Sequence, residues 1–100
     1  MTSIKIDLNS PVFQCDLFDL EKSEQTALIK ALKKIQQLTW HALYSYHSLK
    51  WEIILSKQTT NGERLYTFRF SQKYHAVALR QADYLRVLSL HADHDSTYKK

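Results

Sequence analysis

A chain of 100 residues with 44% hydrophobic and 24% charged side chains is sized for one folded unit, because at this length folding buries only about two thirds of the unfolded surface. One glycine and one proline exclude collagen-like and mucin-like chains and argue against flexible linkers and low-complexity arms. Cys15 is the lone cysteine and no basic stretch leads into an apolar run with a cleavage site, so a reducing cytoplasm is expected; no window approaches the roughly 20 apolar residues that span a bilayer.

The net charge of +4 is unevenly placed. In residues 1–29, Lys5 and Lys22 stand against Asp7, Asp16, Asp19, Glu21 and Glu24, a net of −3, which leaves +7 on residues 30–100. A basic two thirds behind an acidic lead-in points toward a polyanionic partner, with a scattered solvated surface as the plain alternative.

Ile4-Lys5-Ile6-Asp7-Leu8 alternates apolar and polar, the pattern of a short edge strand, and Asn9-Ser10-Pro11 ends it. Residues 12–20 place Phe13, Leu17 and Leu20 at helical spacing over one or two turns. A longer helix is predicted over 24–37 with Ser23 as its N-cap, because Leu28, Leu32 and Ile35 recur at i, i+4 and i+7 beside Ala27 and Ala31. Lys30, Lys33 and Lys34 then form its solvated side. Thr39 is placed to cap a shorter helix over 40–46, whose Trp40 and Tyr44 pack with Trp51 against a sheet.

After Ser48 the pattern changes to period two. Strands are predicted over 49–55, 64–71, 75–80 and 84–90, with Asn61-Gly62 turning the first pair and Gln81-Ala82-Asp83 the last. The reading is α+β: helices first, then a four-stranded antiparallel meander on which they pack, with an extra N-terminal edge strand, all within one domain spanning 1–100.

Alternation on the second run puts Tyr66, Phe68 and Phe70 on one face and Leu65, Thr67, Arg69 and Ser71 on the other. On the third, His75, Val77 and Leu79 share a face opposite Ala76, Ala78 and Arg80, so His75 approaches Arg69 if the register brings the two together. His91, Asp93, His94, Asp95 and Tyr98 then fall within eight residues. Imidazoles can exchange protons near neutral pH, a tyrosine can stack on a nucleobase, and His91-x-x-His94-Asp95 offers metal-ligand atoms without a fourth residue at a telling distance. A merely solvated terminus is the alternative. There is no glycine-rich phosphate loop, no paired-cysteine motif and no nucleophile elbow.

The segments Leu49-Lys50-Trp51-Glu52, Leu65-Tyr66-Thr67-Phe68-Arg69-Phe70-Ser71, Lys73-Tyr74-His75-Ala76-Val77-Ala78, Leu85-Arg86-Val87-Leu88-Ser89-Leu90 and His94-Asp95-Ser96-Thr97-Tyr98-Lys99 together resemble the RelE/ParE superfamily of bacterial toxins. The likeness covers about residues 17–100. It implies a toxin of a type II toxin–antitoxin pair: a ribosome-dependent endoribonuclease that enters the decoding site, cuts messenger RNA and is neutralised by an antitoxin encoded by an adjacent gene. Such enzymes use the ribose 2′-OH as nucleophile and need a base, an acid and cations rather than a metal or other cofactor.

Carried onto this chain, the resemblance places Arg69 where the family has a catalytic basic residue, His75 where it usually has arginine, and Tyr98 at the stacking tyrosine. His91 or His94 is left as base or acid, and Lys50, Lys73, Arg80, Asp95 and Lys99 as RNA contacts. Thr67 stands where some members carry a second cation, and a histidine at 75 replaces a permanent charge with a titrating one. Three other functions stay open: a toxin of the same fold that inhibits DNA gyrase without cutting RNA, a member whose site has decayed to binding RNA or protein, and a basic nucleic-acid-binding module.

Overall fold

Phe68, Ala76, Ala78, Leu85, Val87 and Leu90 are all buried and lie on one face of a five-stranded sheet; the helices exist to cover that face. The computed structural model describes residues 3–58 and 63–93. Its elements run β1 (Lys5–Asp7), α1 (Pro11–Asp19), α2 (Lys22–Gln36), α3 (Trp40–Tyr44), a 3₁₀ turn (His47–Leu49), β2 (Glu52–Gln58), β3 (Arg64–Arg69), β4 (Tyr74–Gln81) and β5 (Tyr84–Ala92). The spatial order is β1-β5-β4-β3-β2, antiparallel throughout the meander, with β1 added parallel to β5. The α+β reading and the N-terminal edge strand are both observed.

α2 buries Leu28, Ala31, Leu32 and Ile35, positions i, i+3, i+4 and i+7 of one stripe, and each large aliphatic withdrawn from water contributes about 1.5–3 kcal/mol. It begins earlier than predicted. Ser23 lies inside the helix; the N-cap is Glu21, with no side-chain cap bond, and Glu24 in the first turn complements the helix dipole instead. Thr39 does cap α3, its Oγ1 accepting the Ala42 N–H at 3.1 Å, and Ser10 caps α1 through the Phe13 N–H with Pro11 in the first turn. Trp40 and Trp51 are buried, ring centroids 6.2 Å apart. Tyr44 is half exposed.

Two departures from the alternation matter for the site. Leu49 belongs to the 3₁₀ turn, and Lys50 adopts a left-handed backbone (φ 49°, ψ 51°) that redirects the chain, so the first meander strand starts at Glu52. In β5 the register passes from Val77↔Ser89 to Ala78↔Val87, leaving Leu88 as an extra residue in a β-bulge. Strict period two would turn His91 to the same face as Leu85; the bulge restores Leu90 to the core and sends Ser89 and His91 to the outer face. Beyond the end of β1, α1 covers the edge of β5: the Ser10 hydroxyl donates to Leu88 O at 3.0 Å and Asp16 Oδ2 accepts the Leu90 N–H at 2.9 Å. The Asn61-Gly62 turn lies outside the described residues.

Two local features carry stability predictions. The β4–β5 hairpin turns on Ala82 and Asp83, and Ala82 has φ 51°, a left-handed conformation costing a non-glycine residue about 1–2 kcal/mol. Ala82→Gly raises the urea midpoint, corresponding to about 1 kcal/mol, without altering the slope. Asp7 joins β1 to β5, accepting the Asn9 N–H at 2.9 Å and pairing with Arg86 Nε at 3.0 Å. The Asn9 backbone bond, aided by Arg86 and against a partial burial penalty, holds its carboxyl below the ordinary range. A lowered carboxylate stabilises the fold above its unfolded value and loses that contribution as pH falls through the folded one. Asp7→Asn therefore costs about 1 kcal/mol at neutral pH, and the gap to wild type in chemical denaturation closes in acid.

Candidate active site

On the outer face of the sheet the register sets Arg69 opposite His75 and His75 opposite His91. A guanidinium and two imidazoles thus form a row across β3, β4 and β5. The β3–β4 hairpin is tied by Ser71, whose Oγ accepts the N–H groups of Lys73 and Tyr74, each at 3.2 Å, so the first two members of the row are fixed by a local turn. The third depends on the bulge.

Asp93, the residue after β5, completes the group. Its backbone N–H donates to Lys73 O, which holds it beside the hairpin. Its Oδ1 lies 2.5 Å from His75 Nδ1 and its Oδ2 2.5 Å from Arg69 Nη1, the latter an ion-pair contact without hydrogen-bond alignment. The Arg69, His75 and Asp93 side chains keep 36%, 22% and 17% of their surface, enough shielding to strengthen the charges and enough opening to admit a substrate group. Arg69 Nη1 also donates to Gln72 O at 3.0 Å. A carboxylate only accepts, so when the His75 ring is neutral its proton sits on Nδ1 and Nε2 carries the lone pair. The His91 ring stacks on that of His75 with centroids 5.5 Å apart, and its Nε2 lies 2.8 Å from Ser89 Oγ.

A cavity of about 250 Å³ opens over this row, lined by Lys50, Glu52, Thr67, Phe68, Arg69, His75 and Asp93. The left-handed backbone at Lys50 delivers a second cation to it. Glu52, paired with Thr67 across β2 and β3, supplies a second carboxylate, so the described walls balance two cations with two carboxylates, although residues 30–100 carry a net +7.

Of the residues singled out from sequence, Arg69, His75 and His91 come together and Lys50 faces the same cavity. Lys73 is exposed next to Asp93 in the hairpin turn. Arg80 is elsewhere: five residues beyond His75, about 16 Å along the strand, its guanidinium lies 4.1 Å over the Trp40 ring and its Nη1 donates to Tyr44 Oη at 3.4 Å. Burial opposes ionisation of Tyr44, but its bonds with Tyr66 and Arg80 outweigh that and lower the phenol. His94, Asp95, Tyr98 and Lys99 lie outside the described residues. Asp93 and Glu52 are the functional candidates that patterning did not assign.

The fold is similar to a known one. It matches the crystal structure of a copper-bound mutant toxin from Helicobacter pylori with a TM-score of 0.53 at 19% identity, over 89% of this chain and 93% of that one. A likeness at that identity concerns the fold. No family model and no curated protein matches the sequence.

Among the described residues no three His, Cys, Asp or Glu side chains gather in a way that would hold a metal ion, and of the His91, His94 and Asp95 set only His91 is described. No described helix is long and apolar enough to cross a membrane. What the described cluster can do chemically is move one proton and stabilise one negative charge: His75 Nε2 is an oriented proton acceptor, and Arg69 and Lys50 are cations beside it.

Proposed function

We propose that this chain is the toxin of a type II toxin–antitoxin pair and acts as an endoribonuclease on messenger RNA in the ribosomal decoding site. The observation that carries the reading is the Asp93-held pair of Arg69 and His75, on adjacent strands, over an open cavity. The toxin named in the structural likeness supports the toxin assignment, and with it an antitoxin as partner.

In the proposed reaction His75 Nε2 takes the proton of a ribose 2′-OH. The 2′-oxygen attacks the adjacent phosphorus, Arg69 and Lys50 stabilise the charge that builds on the phosphorane, and the 5′-oxygen leaves with a proton. The products are a 2′,3′-cyclic phosphate and a 5′-hydroxyl. His91 or His94 supplies the leaving-group proton, Tyr98 stacks on a base, and Lys73, Asp95 and Lys99 contact RNA. Asp93 acts through His75, keeping its proton on Nδ1 and steadying the imidazolium that forms, a role worth roughly 10²–10⁴ in rate when lost with the base.

The test is to add the purified chain to ribosomes programmed with a defined message and map the ends. Cleavage within the decoding-site codon, leaving a cyclic phosphate upstream and unaffected by a chelator, is expected. An intact message with inhibited gyrase supercoiling assigns the chain to the non-nucleolytic branch of the fold.

A further inference from the structure

α1 is apolar on both sides. Phe13 is buried and Leu17 packs against the core on one side, while Val12, Cys15 and Phe18 recur every three residues on the other, within an arc of about 120°. Cys15 is exposed. Phe18 and Val12, at 76% and 59%, are the most exposed large apolar side chains among the described residues. The patch extends onto α2: Gln25 Nε2 donates to Leu17 O at 2.9 Å, and Ile29, one turn further on the same side of that helix, is also exposed. Single apolar residues on a surface are ordinary, but a helix that is apolar all round is one whose outer side is covered. The charges of α1 are also uncompensated within the chain. Its first turn holds no acid and its last no base, and Asp19 sits at the C-terminal end, where the helix dipole opposes a carboxylate.

We propose that this face pairs with its copy on a second chain, the two α1 helices running antiparallel about a twofold axis at Cys15. The spacing is self-complementary: Val12 of each protomer meets Phe18 of the other, and the two Cys15 side chains meet at the axis. Direction follows from the charges. Antiparallel packing brings Asp19 of one protomer to the first turn of the other helix, whose positive dipole end has no carboxylate of its own. The two Asp19 carboxylates then stand eight residues apart, about 12 Å along the axis and beyond the screening length of about 8 Å at physiological salt. A parallel pair sets them side by side. Asp7 and Asp16 are engaged within their own chain, by Arg86 and by the Leu90 N–H. With no Lys or Arg between residues 6 and 21, the segment offers a phosphate backbone no cation. A nine-residue helix is about 13 Å long, so the pair covers less than the roughly 800 Å² per partner of a standard interface and exchanges with monomer.

Sedimentation equilibrium of the full chain up to millimolar concentration tests this, with a thiol reductant present so that no disulfide supplies the contact. Expected is a monomer–dimer equilibrium that Val12→Lys and Phe18→Glu each weaken at least tenfold. Both changed side chains are exposed, so the melting points of the dilute variants match the wild type. The combined Val12→Lys/Phe18→Glu variant regains dimerisation, because antiparallel packing sets each new lysine against the other protomer's new glutamate. An equimolar mixture of the two single variants regains it as well, through one such ion pair and one original Val12–Phe18 contact. A chain monomeric at every concentration overturns the proposal, as does a dimer indifferent to both single variants or a combined variant that stays monomeric. Sedimentation of a monomeric wild type with phosphatidylcholine vesicles, lost in Phe18→Glu, overturns it by reassigning the face to a lipid surface. None of these readouts uses RNA cleavage, so the dimer and the active site fail separately.

Discussion

His75→Ala lowers the rate of RNA cleavage by roughly 10²–10⁴ with little change in KM, because the lost group takes a proton only as the transition state forms. Asp93→Asn retains the imidazole and nearly the same shape but replaces a pure acceptor by an amide that can donate, so Nδ1 need no longer carry the proton. About a hundredfold loss is expected, at the lower end of the same range. If the two residues act as one unit, the double variant is scarcely slower than His75→Ala alone. Single-turnover cleavage of a short message on programmed ribosomes measures all three. Independent, multiplying effects would show that Asp93 serves the chain in some other way. Arg69→Ala removes both the phosphate cation and the counter-charge of Asp93, and is therefore a poorer probe of either role.

Phe68→Ala destabilises the chain by about 3–5 kcal/mol, a large share of what a domain of this size has to lose. Phe68 is fully buried at the centre of the sheet, paired with Ala76 across β4 and with its ring near that of Trp51, centroids 6.4 Å apart. The small alanines at 76 and 78 make room for the rings of Phe68 and Tyr66, so nothing nearby can expand into the space that truncation leaves. Arg69 is the next residue, and the same strand that fills the core carries the guanidinium. The melting point falls by well over about 10 °C. A small shift in calorimetry would mean the core collapses around the gap.

Much of this arrangement was legible in alternation. Period two on β3 separated Arg69 from Phe68, and period two on β4 separated His75 from Ala76, because a sheet with a single covered side requires that separation within each strand. Register was not legible: nothing in the composition of residues 70–73 states that Arg69 pairs with His75 rather than Val77, and hydrogen bonds to the Ser71 hydroxyl make that choice. His91 was named for its chemistry, yet its direction depends on a bulge at Leu88 that no residue type announces and that α1 supports from 74 to 78 positions away. Asp93 was visible as one of several titratable residues near the end of the chain. Its partners lie 18 and 24 positions earlier, a distance at which sequence carries no pairing signal. The N-cap of α2 was misplaced for a simpler reason: Ser23 is a good cap by chemistry, but burial of Leu28, Leu32 and Ile35 supports the helix strongly enough to extend it past that serine.

The proton on His75 is the quantity on which the chemistry turns, and nitrogen NMR of the labelled imidazole, recorded where the ring is neutral, reads it without any assay of activity. A carboxylate at 2.5 Å from Nδ1 predicts the Nδ1–H tautomer in the wild type, with Nε2 bare, and a shift toward the Nε2–H form in Asp93→Asn. A wild-type ring already protonated on Nε2, and unchanged by that substitution, would contradict it.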